Sequence, residues 1–179
     1  MTFDQLEHAI RAACAVAEES EVIVFGSQAI LGSFPDAHDD LRQSMEADIA
    51  PKNHPERADL IDGSLGELSQ FHQTHGFYVH GLKLEAASFP EGWDDRMVRV
   101  QTPATDRKIG WCIEGHDLAA NKLVAFREKD REFVRVLLRE TYIDSVTLKT
   151  RIQKLPLDQE HGERLLKWVQ LTSEDLGLL

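Results

Sequence analysis

The feature that most constrains this chain is EVIVF at residues 21–25, a β-branched apolar run that passes without a linker into Gly26-Ser27. An unbroken apolar run of that length reads as a strand buried on both faces. GSQAILGSF beyond it reads as a turn opening a helix. At such a junction backbone N–H groups and the positive helix end can receive a phosphate, and Gly26 permits close approach. The same junction also describes a plain turn with a serine N-cap.

A second segment narrows the choice. PDAHDDLRQS is polar and aperiodic, a surface loop leading to MEADIA, which reads as a strand stopped by Pro51. Period-two alternation puts Glu46 and Asp48 on one face and Met45, Ala47 and Ile49 on the other. Two carboxylates one residue apart on a strand point the same way and can both reach a hard cation such as Mg²⁺; a solvent-facing acidic edge would show the same spacing.

The rest of the chain is read around these two segments. Phe3, Leu6, Ile10, Ala13, Cys14 and Ala17 predict an amphipathic helix over 3–19 with Thr2 as N-cap. Residues 55–74 predict one helix starting at Pro55 and ending near Gly76. FYVHGLKLEA, RMVRVQT and GWCIEG predict further strands, expected to be antiparallel. From His116 onward DLAANKLVAFRE, EFVRVLLRE, VTLKTRIQKL and GERLLKWVQL predict helices. The expected fold class is α+β, a mixed β-sheet with flanking helices and a helical C-terminal part. We expect one domain over 1–179, with a mixed core over about 1–115 and the helical part over about 116–179.

Composition excludes some classes of function. The net charge of −11 argues against a protein that coats DNA, because such affinity comes from Lys and Arg on phosphates. The charge is uneven: residues 1–126 carry net −11, residues 127–154 net +3, and the tail from 155 net −3. No run reaches the roughly 18 apolar residues of a membrane span, and MTFDQLEHAI has neither a basic start nor an apolar signal core, so a cytoplasmic location is expected. Cys14 and Cys112 sit in apolar surroundings and read as small buried hydrophobes in a reducing compartment. His72 and His75 lie three apart, with His54, His80 and His116 elsewhere; without a His-Glu-x-x-His pattern or a Cys pair, they read as structural or surface residues.

VIVFGSQAILGSF followed by SMEADIAP resembles the signature of the nucleotidyltransferase superfamily: an apolar strand, Gly-Gly or Gly-Ser, a helix, then an acid-x-acid pair on a neighbouring strand. HDLAANKLVAFREKDREFVRVLL resembles the segment that follows the catalytic sheet in the AbiEii-like branch, which includes toxins of type IV toxin–antitoxin systems. In many members of that branch the acidic motif is Asp-Ile-Asp. Aligning Asp48 with its first position puts Ala50 at the second. The pairing adopted here is Glu46 with Asp48, which keeps two carboxylates on one face and lengthens the loop after Gly-Ser. The third carboxylate common in these enzymes is not evident; Glu85 and Glu67 are the candidates by position.

The resemblance implies metal-dependent transfer of a nucleoside monophosphate from a nucleoside triphosphate to an acceptor hydroxyl. Glu46 and Asp48 would hold Mg²⁺ or Mn²⁺, Gly26 and Ser27 would cradle phosphates, and Lys122 would hold triphosphate oxygens as a compact charge. Arg127 would add planar contacts to phosphate, and Asp130 would orient Lys122 or assist the nucleophile. A charged helix laced by ion pairs would look the same around REKDRE. Arg131, Arg135, Arg139, Lys149, Arg151 and Lys154 form a basic stretch that would receive an RNA acceptor such as a tRNA end; the solvated face of a helical bundle would show the same charges. A cognate antitoxin is the implied protein partner, with the acidic front half as its docking surface. The rival reading is a non-catalytic nucleotide-binding or interaction protein of the same fold.

Overall fold

A computed structural model describes residues 1–178 of the chain. The chain divides into two compact units. The first comprises Met1–Ala86 and Met97–Glu114; the second comprises Ala87–Arg96 and the chain from Gly115 onward.

The first unit begins with helix α1, Phe3–Ala17. Thr2 accepts from Gln5 N and Gln5 answers to the Thr2 backbone, a reciprocal capping box that satisfies two N-terminal donors. Leu6, Ala9, Ile10, Ala13, Cys14 and Ala17 form its buried stripe. After a left-handed C-cap at Glu18 comes strand β1, Glu21–Phe25, then a 3-10 turn, Ser27–Ala29, and the single-turn helix α2, Ile30–Ser33. Strand β2, Glu46–Pro51, runs back antiparallel beside β1, with Phe25 opposite Asp48 and Val24 opposite Ile49. Met45, expected on the apolar face of this strand, lies just outside it and is 54% exposed. Tyr78 N of the next strand still donates to the Met45 carbonyl at 3.0 Å, so only the side chain is left in solvent.

The helix predicted over 55–74 is interrupted. A 3-10 turn, Pro55–Arg57, leads into α3, Ala58–Leu65, and α4 runs Gln70–His75. The break has local causes: Gly66 leaves helical geometry, Leu68 takes a φ of 65°, and Ser69 starts a new helix by accepting from His72 N. Gly76 closes α4 in the left-handed conformation.

Strand β3, Tyr78–Gly81, then pairs with β2 in parallel, with Glu46 beside Tyr78 and Asp48 beside His80. Strands β4, Val98–Val100, and β5, Ile109–Cys112, form an antiparallel pair, and β5 lies parallel to β1. The sheet order is β3-β2-β1-β5-β4. Two of its pairings are therefore parallel where the sequence predicts antiparallel strands. For β2 and β3 the reason is the connection: the α3–α4 segment between them is a helical crossover, which returns the chain in the same direction, as a hairpin cannot; β1 and β5 are not consecutive strands at all. The Leu84–Ala86 end of the third predicted strand is a 3-10 turn.

β1 is the central strand. Val22, Ile23, Val24 and Phe25 are all buried, each such side chain contributing about 1.5–3 kcal/mol. α1 packs on β1 and β2, with Ile10 against Gly110, the residue in register with Val22. By the same alternation the other face carries Glu21, Ile23, Phe25, Glu46, Asp48, Ala50, Tyr78 and His80.

The second unit is helical. α5, Gly115–Ala125, α6, Glu128–Arg139, α7, Ser145–Ile152, and α8, Gln159–Asp175, bury Leu118, Leu123, Val134, Leu137, Leu138, Leu148, Leu165 and Val169. The Ala87–Arg96 segment, which ends in a 3-10 turn at Trp93–Arg96, joins them through Arg96, whose Nε and Nη2 donate to the fully buried Asp117 carboxylate at 2.7 and 3.0 Å. Arg151 Nε lies 3.3 Å from the same carboxylate. One buried acid thus ties the segment and α7 to α5. Among the described residues no helix is long and apolar enough to cross a membrane.

Candidate functional site

The end of β1 and the start of β2 meet at Gly26. Its backbone has φ 69° and ψ −172°, a region essentially restricted to glycine. A Cβ built there would lie 1.9 Å from Asp48 Oδ2 and 2.8 Å from its carboxyl carbon. The Phe25–Asp48 register causes this closeness, because it sets Asp48 beside the last strand residue before the turn. Gly26 is thus required twice over, for its dihedral angles and for the space Asp48 fills. The helix beyond spans only Ser27–Ser33. An anion at Gly26-Ser27 would be met mainly by backbone N–H groups and little by a helix dipole.

Glu46 and Asp48 project from alternate positions of β2, and the parallel neighbour β3 adds Tyr78 and His80 on the same face. His80 Nδ1 is 2.8 Å from Glu46 Oε1 and 3.4 Å from Asp48 Oδ1. The Tyr78 hydroxyl donates to Glu46 Oε2 at 3.3 Å. Burial and the negative charge of Glu46 push the Tyr78 phenol up to about 12, with Glu67 and Asp48 adding to the effect. The corner is therefore electronegative, and it is only partly withdrawn from solvent.

One ligand atom from each of Glu46, Asp48 and His80 can be chosen so that all lie within 4.8 Å of one another. Two carboxylates and an imidazole nitrogen at that spacing fit a divalent cation, and the absence of a side chain at Gly26 is what lets the Asp48 carboxylate take its place in the group. His80 is the residue that sequence reasoning set aside. Its proximity follows from the parallel β2–β3 register, which no local pattern announces. Glu85 and Glu67, the candidates by position for a third acid, are exposed and outside this group.

The remaining predicted residues gather in the second unit. Asp130, at the first turn of α6, is buried; Arg127 Nε donates to its Oδ2 at 2.6 Å and Lys122 Nζ lies 3.6 Å from its Oδ1. Lys122 also sits over the Phe133 ring at 4.7 Å. The hydrogen bond to Asp130 holds the Arg127 guanidinium above its usual pKa.

The basic stretch is largely engaged within its own unit. Arg135 pairs with Asp175, Arg139 with Glu140 and Arg151 with Asp117, while the Arg131 guanidinium lies 4.9 Å over Phe126.

No curated protein and no solved structure matches the chain. One family does, that described as "Nucleotidyltransferase of unknown function (DUF6036)", over residues 2–170. That span takes in both units, from the capping box of α1 to the middle of α8, and the chain belongs to this family of nucleotidyltransferases.

Proposed function

We propose that this chain transfers a nucleoside monophosphate from a nucleoside triphosphate to an acceptor hydroxyl, within or near the AbiEii-like branch of the superfamily. The observation that carries the reading is the close approach of Gly26 and Asp48, which sets the glycine turn after β1 against a pair of carboxylates on one strand face. Glu46 and Asp48 hold a divalent cation, Mg²⁺ or Mn²⁺, whose charge supplies Lewis-acid stabilisation of the reacting oxygens. The N–H groups around Gly26 and Ser27 orient the phosphates, so most of the rate comes from positioning and charge neutralisation. Lys122 takes triphosphate oxygens, Asp130 holds the Lys122 ammonium and Arg127 in place, and Arg127 reaches for phosphate from its exposed position.

In the reaction the acceptor oxygen bonds to the α-phosphorus and the bond from that phosphorus to the bridging oxygen breaks. The electron pair leaves on pyrophosphate and the hydroxyl proton passes to water. No covalent intermediate on the protein is needed. An RNA end is the acceptor implied by the resemblance, and a cognate antitoxin the regulator. The ion pairs of Arg135, Arg139 and Arg151 give the RNA assignment less support than the corner itself has.

The test is incubation with Mg²⁺ or Mn²⁺, each α-labelled nucleoside triphosphate in turn, and total RNA. Label should appear on an acceptor with release of pyrophosphate, and Asp48→Asn should abolish it. Nucleotide binding without transfer under all these conditions would leave a nucleotide sensor of the same fold.

A further inference from the structure

We infer that His80 is the third cation ligand, through Nδ1, and that this nitrogen makes the site prefer Mn²⁺ to Mg²⁺. The inference rests on the proposed metal site at Glu46 and Asp48 and specifies it further.

His80 Nδ1 already faces both carboxylates, at 2.8 and 3.4 Å. The ring is placed by the backbone, since His80 is the register partner of Asp48 across the parallel β2–β3 pair. The opposite ring nitrogen supplies an independent observation. Nε2 lies 3.9 Å from Asp62 Oδ1 on α3, a gap longer than a hydrogen bond that metal binding at Nδ1 would have to close. A ligating histidine commonly turns its other N–H to a carboxylate, which fixes the tautomer and makes the ligating nitrogen more basic. Gly81 makes this approach of α3 possible: a Cβ there would lie 2.2 Å from Ala58 O and 2.6 Å from Asp62 N. The residue after His80 thus brings the carboxylate behind the ring, and Asp62 acts as a positioning residue.

The choice of metal follows from the donor set. Mg²⁺ is held by oxygen ligands and water in a strict octahedron. Imidazole is a ligand of first-row transition ions rather than of Mg²⁺, and Mn²⁺ is the one of them that also shares the carboxylate and water ligands of Mg²⁺. An all-carboxylate corner suits both ions; one nitrogen among the donors moves the balance toward Mn²⁺.

The experiment is electron spin-echo spectroscopy of the full-length chain loaded with Mn²⁺, with and without ¹⁵N-histidine, alongside competition by Mg²⁺. The expected result is a directly bound histidine nitrogen that changes with the isotope and disappears in His80→Asp, a variant that keeps an oxygen donor. Mn²⁺ should bind His80→Asp and His80→Ala about 10-fold or more weakly, with the preference over Mg²⁺ reduced in His80→Asp. Asp62→Asn should weaken Mn²⁺ while the nitrogen signal persists. Mn²⁺ bound with no histidine nitrogen, but lost in Asp48→Ala, overturns the inference and leaves the proposed function standing. Mn²⁺ binding indifferent to Asp48→Ala overturns both.

Discussion

Gly26 and Asp48 are packed so closely that a methyl group on Gly26 would lie 1.9 Å from Asp48 Oδ2. The turn and the acid form one structural unit, although helix α2 and the polar loop after it separate them in sequence. Gly26→Ala should therefore damage two things at once. The dihedral angles alone cost about 1–3 kcal/mol, and the carboxylate must swing away. The variant should unfold at lower urea and bind divalent cation about 10-fold or more weakly. Wild-type stability together with wild-type cation affinity would refute the claim that this contact shapes the corner.

Asp117 is fully buried and holds Arg96 and Arg151 together. Removing it leaves two cations without their common acid. Asp117→Ala should cost about 3–5 kcal/mol, the usual penalty for breaking a buried pair from one side. Replacing all three residues by apolar side chains of similar volume should recover much of that loss. Urea unfolding of the single and triple variants checks both statements. A single variant within about 0.5 kcal/mol of wild type, the range of ordinary surface substitutions, would contradict them.

How much of this was legible in sequence depends on the range of the interaction. The α1 cap, the β1 run and the four C-terminal helices are written in local pattern, and Thr2 and Gln5 satisfy each other within one turn. The shared face of Glu46 and Asp48 follows from strand alternation alone. His80 did not stand out, because Glu46 and Asp48 lie more than thirty residues away and only the parallel register joins them to it. The break after α3 was only half legible: Gly66 is a visible helix breaker, but a leucine at φ 65° two residues on carries no such signal. The link from Ala87–Arg96 to the helices was equally hidden, since a buried Arg–Asp pair leaves no periodicity.

Glu21 gives a prediction in pH. Its carboxylate accepts from Lys52 Nζ and from Trp111 Nε1, and these bonds, that of Lys52 foremost, hold its pKa below the ordinary glutamate value. Because the folded pKa is depressed, the stabilisation is present above the unfolded value and is lost as pH falls through the folded one. Glu21→Gln should thus melt below wild type at neutral pH, and the two melting curves should converge as the solution is acidified below the usual glutamate range. Parallel curves over the whole range would show that the bonds do not discriminate the charged form.

The Lys122–Asp130–Arg127 group separates stability from ligand binding. Asp130 is the buried member, its side chain 2% exposed, whereas Arg127 is 61% exposed. Asp130→Ala should cost about 3–5 kcal/mol because it strands Lys122, a largely buried ammonium. Arg127→Ala should cost below about 1 kcal/mol, as an exposed partner does. For nucleotide the order changes. If Lys122 holds triphosphate oxygens, Lys122→Met should weaken a fluorescent nucleoside triphosphate about 10- to 100-fold, the worth of a charge-assisted hydrogen bond, and Arg127→Ala only slightly. Arginine should not restore the loss, since its planar fork cannot reproduce a compact ammonium over the Phe133 ring. Urea unfolding and nucleotide titration of the same four proteins decide the matter. If Lys122→Met loses stability but no nucleotide affinity, the group is a helix clamp and Lys122 has no part in binding.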